Sequence, residues 1–217
     1  MLAALDAPTL VVPGNHDVYP WWRPIARLRN PLRRYRRYIT PELAPRFERD
    51  GVAVLGISTA HGRTVKGGRI TVEDLEGIRD YFSGVDESVF KVLVIHHHLT
   101  KIRALGQHDI ARRAQQALDT AAEAGVDLIL CGHLHISHIE PVEIVPGAQR
   151  IVVASAGTAT SSRGRKSNRQ TNFYNLIEID DAAFCVEERI FDPADRRFET
   201  ESTTTFNREV AAVQAEG

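Results

Sequence analysis

The sequence predicts an α/β fold, on three observations. Short apolar runs at residues 9–12, 52–57, 91–95 and 126–130 each stop at a polar or glycine-led loop. Two stretches with helical apolar spacing lie among them. Residues 142–144, 151–154, 173–179 and 184–191 then read as strands without helices between them, a pattern of antiparallel pairing. The chain has 217 residues, enough for one domain with a full core. Its 43% hydrophobic and 25% charged content is ordinary for a globular protein. A net charge of −1 excludes a whole-protein electrostatic footprint for nucleic acid or membrane.

Compartment follows from cysteine usage and the first residues. Cys131 and Cys185 fit no C-x-x-C pattern and read as buried thiols of a reducing compartment. No apolar segment approaches the ~20 residues of a membrane span. Residues 1–10 lack the basic and long apolar parts of a secretory leader. A soluble, cytoplasmic chain is the expectation.

Taken in order, residues 9–12 form a strand that Pro13-Gly14 stops. It delivers Asn15, His16 and Asp17 to a strand end, the edge where open α/β sheets bind ligands. Asn offers a neutral oxygen ligand, His a ligand or proton donor, and Asp a partner that orients the His. The same tripeptide is also good turn chemistry. Residues 21–39 follow, with Arg23, Arg27, Arg29, Arg33, Arg34, Arg36 and Arg37 among Trp21, Trp22, Tyr35 and Tyr38. Pro24 and Pro31 divide this stretch into two short helical pieces. It could grip a phosphate-bearing substrate, nucleic acid or an acidic membrane surface, or be a solvated basic face.

Residues 52–57 form a buried strand leading to Ser58-Thr59-Ala60-His61-Gly62. Thr71-Val72-Glu73-Asp74 reads as the capped start of a helix to about Phe82, packed through Val72, Leu75, Ile78 and Phe82. The strand at 91–95 ends in His96-His97-His98, where alternation prevents all three from facing one site. A helix over 109–124 packs through Ile110, Ala114, Ala117, Leu118 and Ala121 and ends at Gly125. The strand at 126–130 then runs into Cys131-Gly132-His133-Leu134-His135, whose two imidazoles would share a face on extended backbone. Turns at Pro146-Gly147 and Asp180-Asp181 separate the later strands. Residues 155–170 form a polar loop with Arg163, Arg165, Lys166 and Arg169. The expected division is a domain over 1–192 and a polar, weakly patterned tail over 193–217.

Gly14-Asn15-His16-Asp17, the strand ending at His96, and Gly132-His133-Leu134-His135 together resemble the calcineurin-like metallophosphoesterase superfamily, whose signature includes G-N-H-[DE], H and G-H-x-H in that order. The resemblance spans residues 10–190 and is closest in style to bacterial phosphodiesterases. It implies a two-layered α/β sandwich with helices on its flanks and two divalent metals, manganese, iron or zinc, at the strand ends. It implies that Asn15, His96 and His133 hold one metal and that His135 belongs to the other, with His97 open as the alternative to His96. His16 would sit by the leaving-group oxygen with Asp17 as its partner. The implied reaction is hydrolysis of a phosphoester, most specifically a phosphodiester, by a two-metal-activated hydroxide.

The family's D-x-H and G-D-x-x-[DN] motifs precede G-N-H-D, and the thirteen residues before Gly14 contain neither. The expectation is an N-terminally truncated chain with an incomplete site, since four neutral ligands hold two dications poorly. Two other readings stay open: a non-catalytic descendant that binds metal or a partner, and a nucleic-acid-binding module using residues 21–39.

Overall fold

A computed structural model describes residues 6–64, 67–102, 106–143, 150–160 and 171–208. Its centre is a six-stranded sheet of β1 (Arg46–Arg49), β2 (Val52–Gly56), β3 (Phe90–Val94), β4 (Leu128–Cys131), β5 (His138–Glu143) and β6 (Arg150–Ser155). The strand order is β1-β2-β3-β4-β6-β5. The four inner strands run parallel, and β1 and β5 pair antiparallel at the edges. A second sheet holds β7 (Phe173–Ile179), β8 (Ala183–Asp192) and β9 (Arg197–Asn207), all antiparallel.

The inner strands are apolar at nearly every position because both faces are covered. One face, with Ala53, Leu55, Leu93, Ile129, Ile151 and Val153, packs on helices α3 (Val72–Ser83) and α4 (Ala114–Glu123). The alternate residues, Val92, Leu128, Val152 and Ala154, meet Phe184 and Val186 of the second sheet. Phe90 and Phe184 touch edge to face with ring centroids 4.9 Å apart. The result is a two-layered β-sandwich with helices against one outer face, a mixed α/β fold.

Most local expectations hold, although α3 packs through Leu75, Ile78, Tyr81 and Phe82 while Val72, in its first turn, is exposed. A complete capping box, in which Thr71 Oγ1 accepts from Asp74 N at 3.1 Å and Asp74 accepts from Thr71 N at 2.7 Å, starts α3. Residues 21–39 form two short helices, α1 (Pro24–Arg29) and α2 (Arg33–Tyr38). Gly125 takes φ +69° just past α4, where a side chain would be strained. Asp180 Oδ1 accepts from the amides of Ala182 and Ala183, closing the β7–β8 turn.

Four expectations change, and one strand is added. Residues 9–12 form no ladder, because both edges of the neighbouring β2 are already paired with β1 and β3; Leu10 and Val12 instead pack their side chains around Gly56. Helix α4 starts at Ala114 and not at Asp109, since Ala111 and Arg112 donate their amides to His98 and Gly68 carbonyls. Strand β1 was not evident in the polar run Arg46–Arg49, an edge strand with mostly exposed side chains. The stretch read as a polar tail contains β9, which pairs along the whole of β8 and brings Phe206 against Phe184. Its polarity reflects an edge strand with few inward residues. Cys131 is buried, but Cys185 is only half-buried, and both are free thiols. The Pro146-Gly147 turn and the Arg163, Arg165, Lys166 and Arg169 cluster lie outside the described residues.

Candidate metal centre

Parallel pairing brings the ends of β2, β3 and β4 to one edge of the sheet. Register then decides which side chains meet. Gly56 is opposite Val94, and continuing three residues places Thr59 beside His97. Val94 is opposite Leu130, and beyond that pair Gly132 N donates to His96 O, which brings the turn at His133 beside His97. The contacts follow: Thr59 Oγ1 lies 2.8 Å from His97 Nδ1, and the His97 and His133 ring centroids are 4.6 Å apart.

Asn15 joins this edge from a distant part of the chain. Its Oδ1 lies 3.0 Å from His96 Nε2 and 3.2 Å from His133 Nδ1. The loop that presents it is a tight turn in which Asp17 N donates to Gly14 O and Gly14 N donates to Asp17 Oδ2. Asp17 therefore spends its carboxylate on the turn. His16 is exposed beside it. Gly14 is required by contact, since a Cβ there would lie 2.7 Å from Cε1 of His96.

The Gly132–His135 loop is not extended. His133 has φ 65° and His135 φ 57°, both left-handed, so the alternation expected of a strand does not apply. Each such residue costs about 1–2 kcal/mol relative to a right-handed one. Leu134, buried between them against Ile102 and Ile136, anchors the turn. His135 lies near enough to His96 to disfavour its protonation, as does His16.

Potential ligand atoms of His96, His97 and His133 all lie within 4.8 Å of one another. His97, the alternative ligand to His96, is 1% exposed. Its ring is set by Thr59, and its Nε2 is buried with no hydrogen-bond partner among the described residues. An orphaned buried nitrogen calls for an explanation, and an ion is one. Desolvation and the neighbouring His133 lower the His96 pKa to about 3, and desolvation with His96 lowers that of His97 to about 2. Both rings are thus neutral with lone pairs available near pH 7, the form that ligates metal. A carboxamide oxygen with imidazole nitrogens is a donor set that manganese, iron and zinc accept. The residues fit a divalent cation.

His98 faces elsewhere. Nε2 lies 3.1 Å from Ser155 Oγ, and Cys131 Sγ is 3.6 Å from Nδ1. These three groups form a buried polar contact beneath the site. Ser155 pairs with Cys131 across β4 and β6, so this contact too follows from register.

Comparison with known proteins places this edge in context. The profile of the calcineurin-like phosphoesterase family matches residues 1–137, more than half of the chain. The chain belongs to that family, whose members bind divalent metals and whose chemistry is metal-dependent phosphoester hydrolysis. Among solved structures, Vps29 from Entamoeba histolytica complexed with Zn2+ is 19% identical, with a TM-score of 0.28 over 43% of this chain and 45% of that one. A double mutant of the same protein is 16% identical, with a TM-score of 0.33 over 65% and 80%. Vps29 from Chaetomium thermophilum is 11% identical, with a TM-score of 0.32 over 57% and 83%. The chain thus spans less than half the length of the first of these. No curated protein matches the chain.

Proposed function

We propose that this chain is a cytoplasmic phosphodiesterase of the family, a metal-dependent hydrolase whose site is built on Asn15, His96 and His133. The single observation that carries the proposal is the convergence of His96 and His133 on Asn15 Oδ1, at 3.0 and 3.2 Å, from 81 and 118 residues away. Three loops with no local reason to meet supply one set of neutral donors. His135 belongs to a second metal position beside the first. Divalent metals held there would supply positive charge and Lewis acidity to the phosphoryl oxygens.

The chain's own residues supply the rest. Asp17 fixes the turn that aims Asn15 inward and leaves His16 outward, free to meet substrate. His16 delivers a proton to the oxygen that leaves phosphorus. His97 and Thr59 hold the floor of the site, and the ring of His97 stays in register with that of His133.

Hydrolysis of a generic aryl phosphodiester with added manganese tests this reading. Turnover that falls at least about a hundredfold in Asn15→Ala and His133→Ala is expected, with His16→Ala lowering the rate but not the bound metal. A second reading is favoured by the donor set itself, which is neutral throughout: a non-catalytic descendant that binds one dication. One metal bound per chain with no turnover would establish that reading instead.

A further inference from the structure

The two helices that follow the Asn15 loop carry a surface the hydrolytic reading does not use. Eight large apolar side chains are exposed among the described residues, and six of them lie within residues 21–39. They are Trp21, Trp22, Ile25, Leu28, Tyr38 and Ile39, with Trp22 80% and Ile25 69% exposed. The same stretch is strongly basic. Residues 18–41 include seven arginines and no acidic residue. All of those arginines but Arg27 are exposed. Trp22 and Ile25 line a hollow of about 510 Å³ together with Arg23, Arg29 and Arg33.

This surface is held rigidly on the body of the protein. The buried guanidinium of Arg27 donates to the carbonyls of Tyr19 and Thr64 and lies 4.3 Å from the Trp21 ring centroid. Tyr35 Oη donates to Val11 O at 3.1 Å, and Leu32 and Tyr35 pack with Val18 and Ala60. Gly62 lets α1 approach, since a Cβ there would overlap the Arg27 carbonyl. The apolar groups are therefore displayed by a folded element and are not a loose end.

We propose that α1 and α2 form a peripheral docking surface for an anionic lipid bilayer. Charge complementarity selects the partner's sign: six exposed guanidiniums on a stretch that itself carries no carboxylate fit a dense array of lipid phosphates. The apolar groups select its class. Tryptophan and tyrosine occupy the boundary between headgroups and acyl chains, and Ile25, Leu28 and Ile39 gain by leaving water there. A nucleic acid would reward the arginines and aromatic rings but offers nothing to three exposed aliphatic side chains. No described helix is long and apolar enough to cross a membrane, so the association lies at the surface. Docking here would set the loop carrying Asn15 and His16 close to the headgroup layer.

The chain's two tryptophans are Trp21 and Trp22, so its intrinsic tryptophan emission reports on this surface alone. The chain of 217 residues is mixed with phosphatidylcholine vesicles, with and without about one-third phosphatidylglycerol. Co-sedimentation with the anionic vesicles only is expected, with a blue shift of emission and quenching by brominated lipid. Trp22→Ala with Ile25→Ser should weaken partitioning roughly tenfold. Arg33→Glu with Arg37→Glu should weaken it roughly a hundredfold or more. Circular dichroism checks that both variants are folded, as their exposed positions lead one to expect. The proposal is overturned by failure to sediment with anionic vesicles at low salt. Binding without a blue shift or bromine quenching overturns it equally, because the apolar groups would then remain in water. So does an oligonucleotide that binds more tightly than the vesicles and displaces them, which would make the surface a nucleic-acid site.

Discussion

A Cβ on Gly14 would lie 2.7 Å from Cε1 of His96 and 3.0 Å from both of its ring nitrogens. The imidazole lies flat against a backbone position that only hydrogen leaves open. The same ring reaches Asn15 Oδ1 through Nε2, so the glycine sets the distance between two donors of the candidate centre. Gly14→Ala should displace His96 and lower affinity for manganese or zinc by about 10–100-fold. The accompanying loss of stability should be about 1–3 kcal/mol, the ordinary cost of overpacking. Competition with a chelator measures the first and urea denaturation the second. Unchanged metal affinity would show that His96 does not need this wall.

Thr59 and His97 form the corresponding pair one layer deeper. Thr59 is fully buried, and its hydroxyl meets both Nδ1 and the backbone amide of His97, at 2.8 and 3.2 Å. Thr59→Val preserves shape and removes both contacts. Two buried groups lose their partner, at about 1–3 kcal/mol each. Metal affinity should fall as well, since the ring that places Nε2 near His133 would lose its orientation. If metal titration of the folded variant matches the unmodified chain, His97 is a packing residue and no more.

Legibility of the site in the sequence depended on which interactions are local. The Gly14-Asn15-His16-Asp17 and Gly132-His133-Leu134-His135 loops stand out because strand ends and glycine are written in neighbouring residues. His97 did not stand out, because its importance comes from register. Thr59 and His133 are 38 and 36 residues away from it, and these are the offsets at which β2–β3 and β3–β4 pair. The left-handed backbone of His133 and His135 was likewise hidden, because histidine adopts it more often than most residues but still only in a small minority of cases. In the fold, buried strands and the capped helix α3 were legible from apolar runs and Thr71. Strands β1 and β9 were not, because an edge strand needs few apolar residues to pair.

Gly62 offers a test of how α1 is fixed. A methyl group there would overlap the carbonyl oxygen of Arg27 and crowd the ring of Pro31, so α1 would have to move outward. That displacement would pull the Arg27 guanidinium from the carbonyls of Tyr19 and Thr64. Gly62→Ala should destabilise the chain by about 1–3 kcal/mol and raise proteolytic cutting within residues 21–39. Tryptophan emission should change in parallel, since Trp21 stacks on Arg27. A variant with the denaturation midpoint and cutting pattern of the unmodified chain would place the anchor of α1 elsewhere.

The triplet His96-His97-His98 makes the metal-free protein sensitive to acid, with a sign that follows from burial. Desolvation is the first cause for all three rings, reinforced by neighbouring imidazoles, and it lowers their pKa values from 6.5 to about 3, 2 and 4 respectively. Well above pH 6.5 the rings are neutral in both folded and unfolded chains, and they contribute no pH dependence. Between pH 6.5 and about 4 the unfolded chain binds protons that the folded chain refuses, so stability falls as pH falls. Each ring can contribute up to about 1.4 kcal/mol per pH unit across that interval. The urea midpoint of chelator-treated protein should therefore drop steeply from pH 7 to pH 5. Bound metal, which requires neutral imidazoles, should shift the drop to lower pH. His98→Asn should make the slope shallower, because one of the three protons is no longer in play. A flat midpoint over this range would mean that the rings gain water or protons without opening the fold, and the neutral state of the triplet would be wrong.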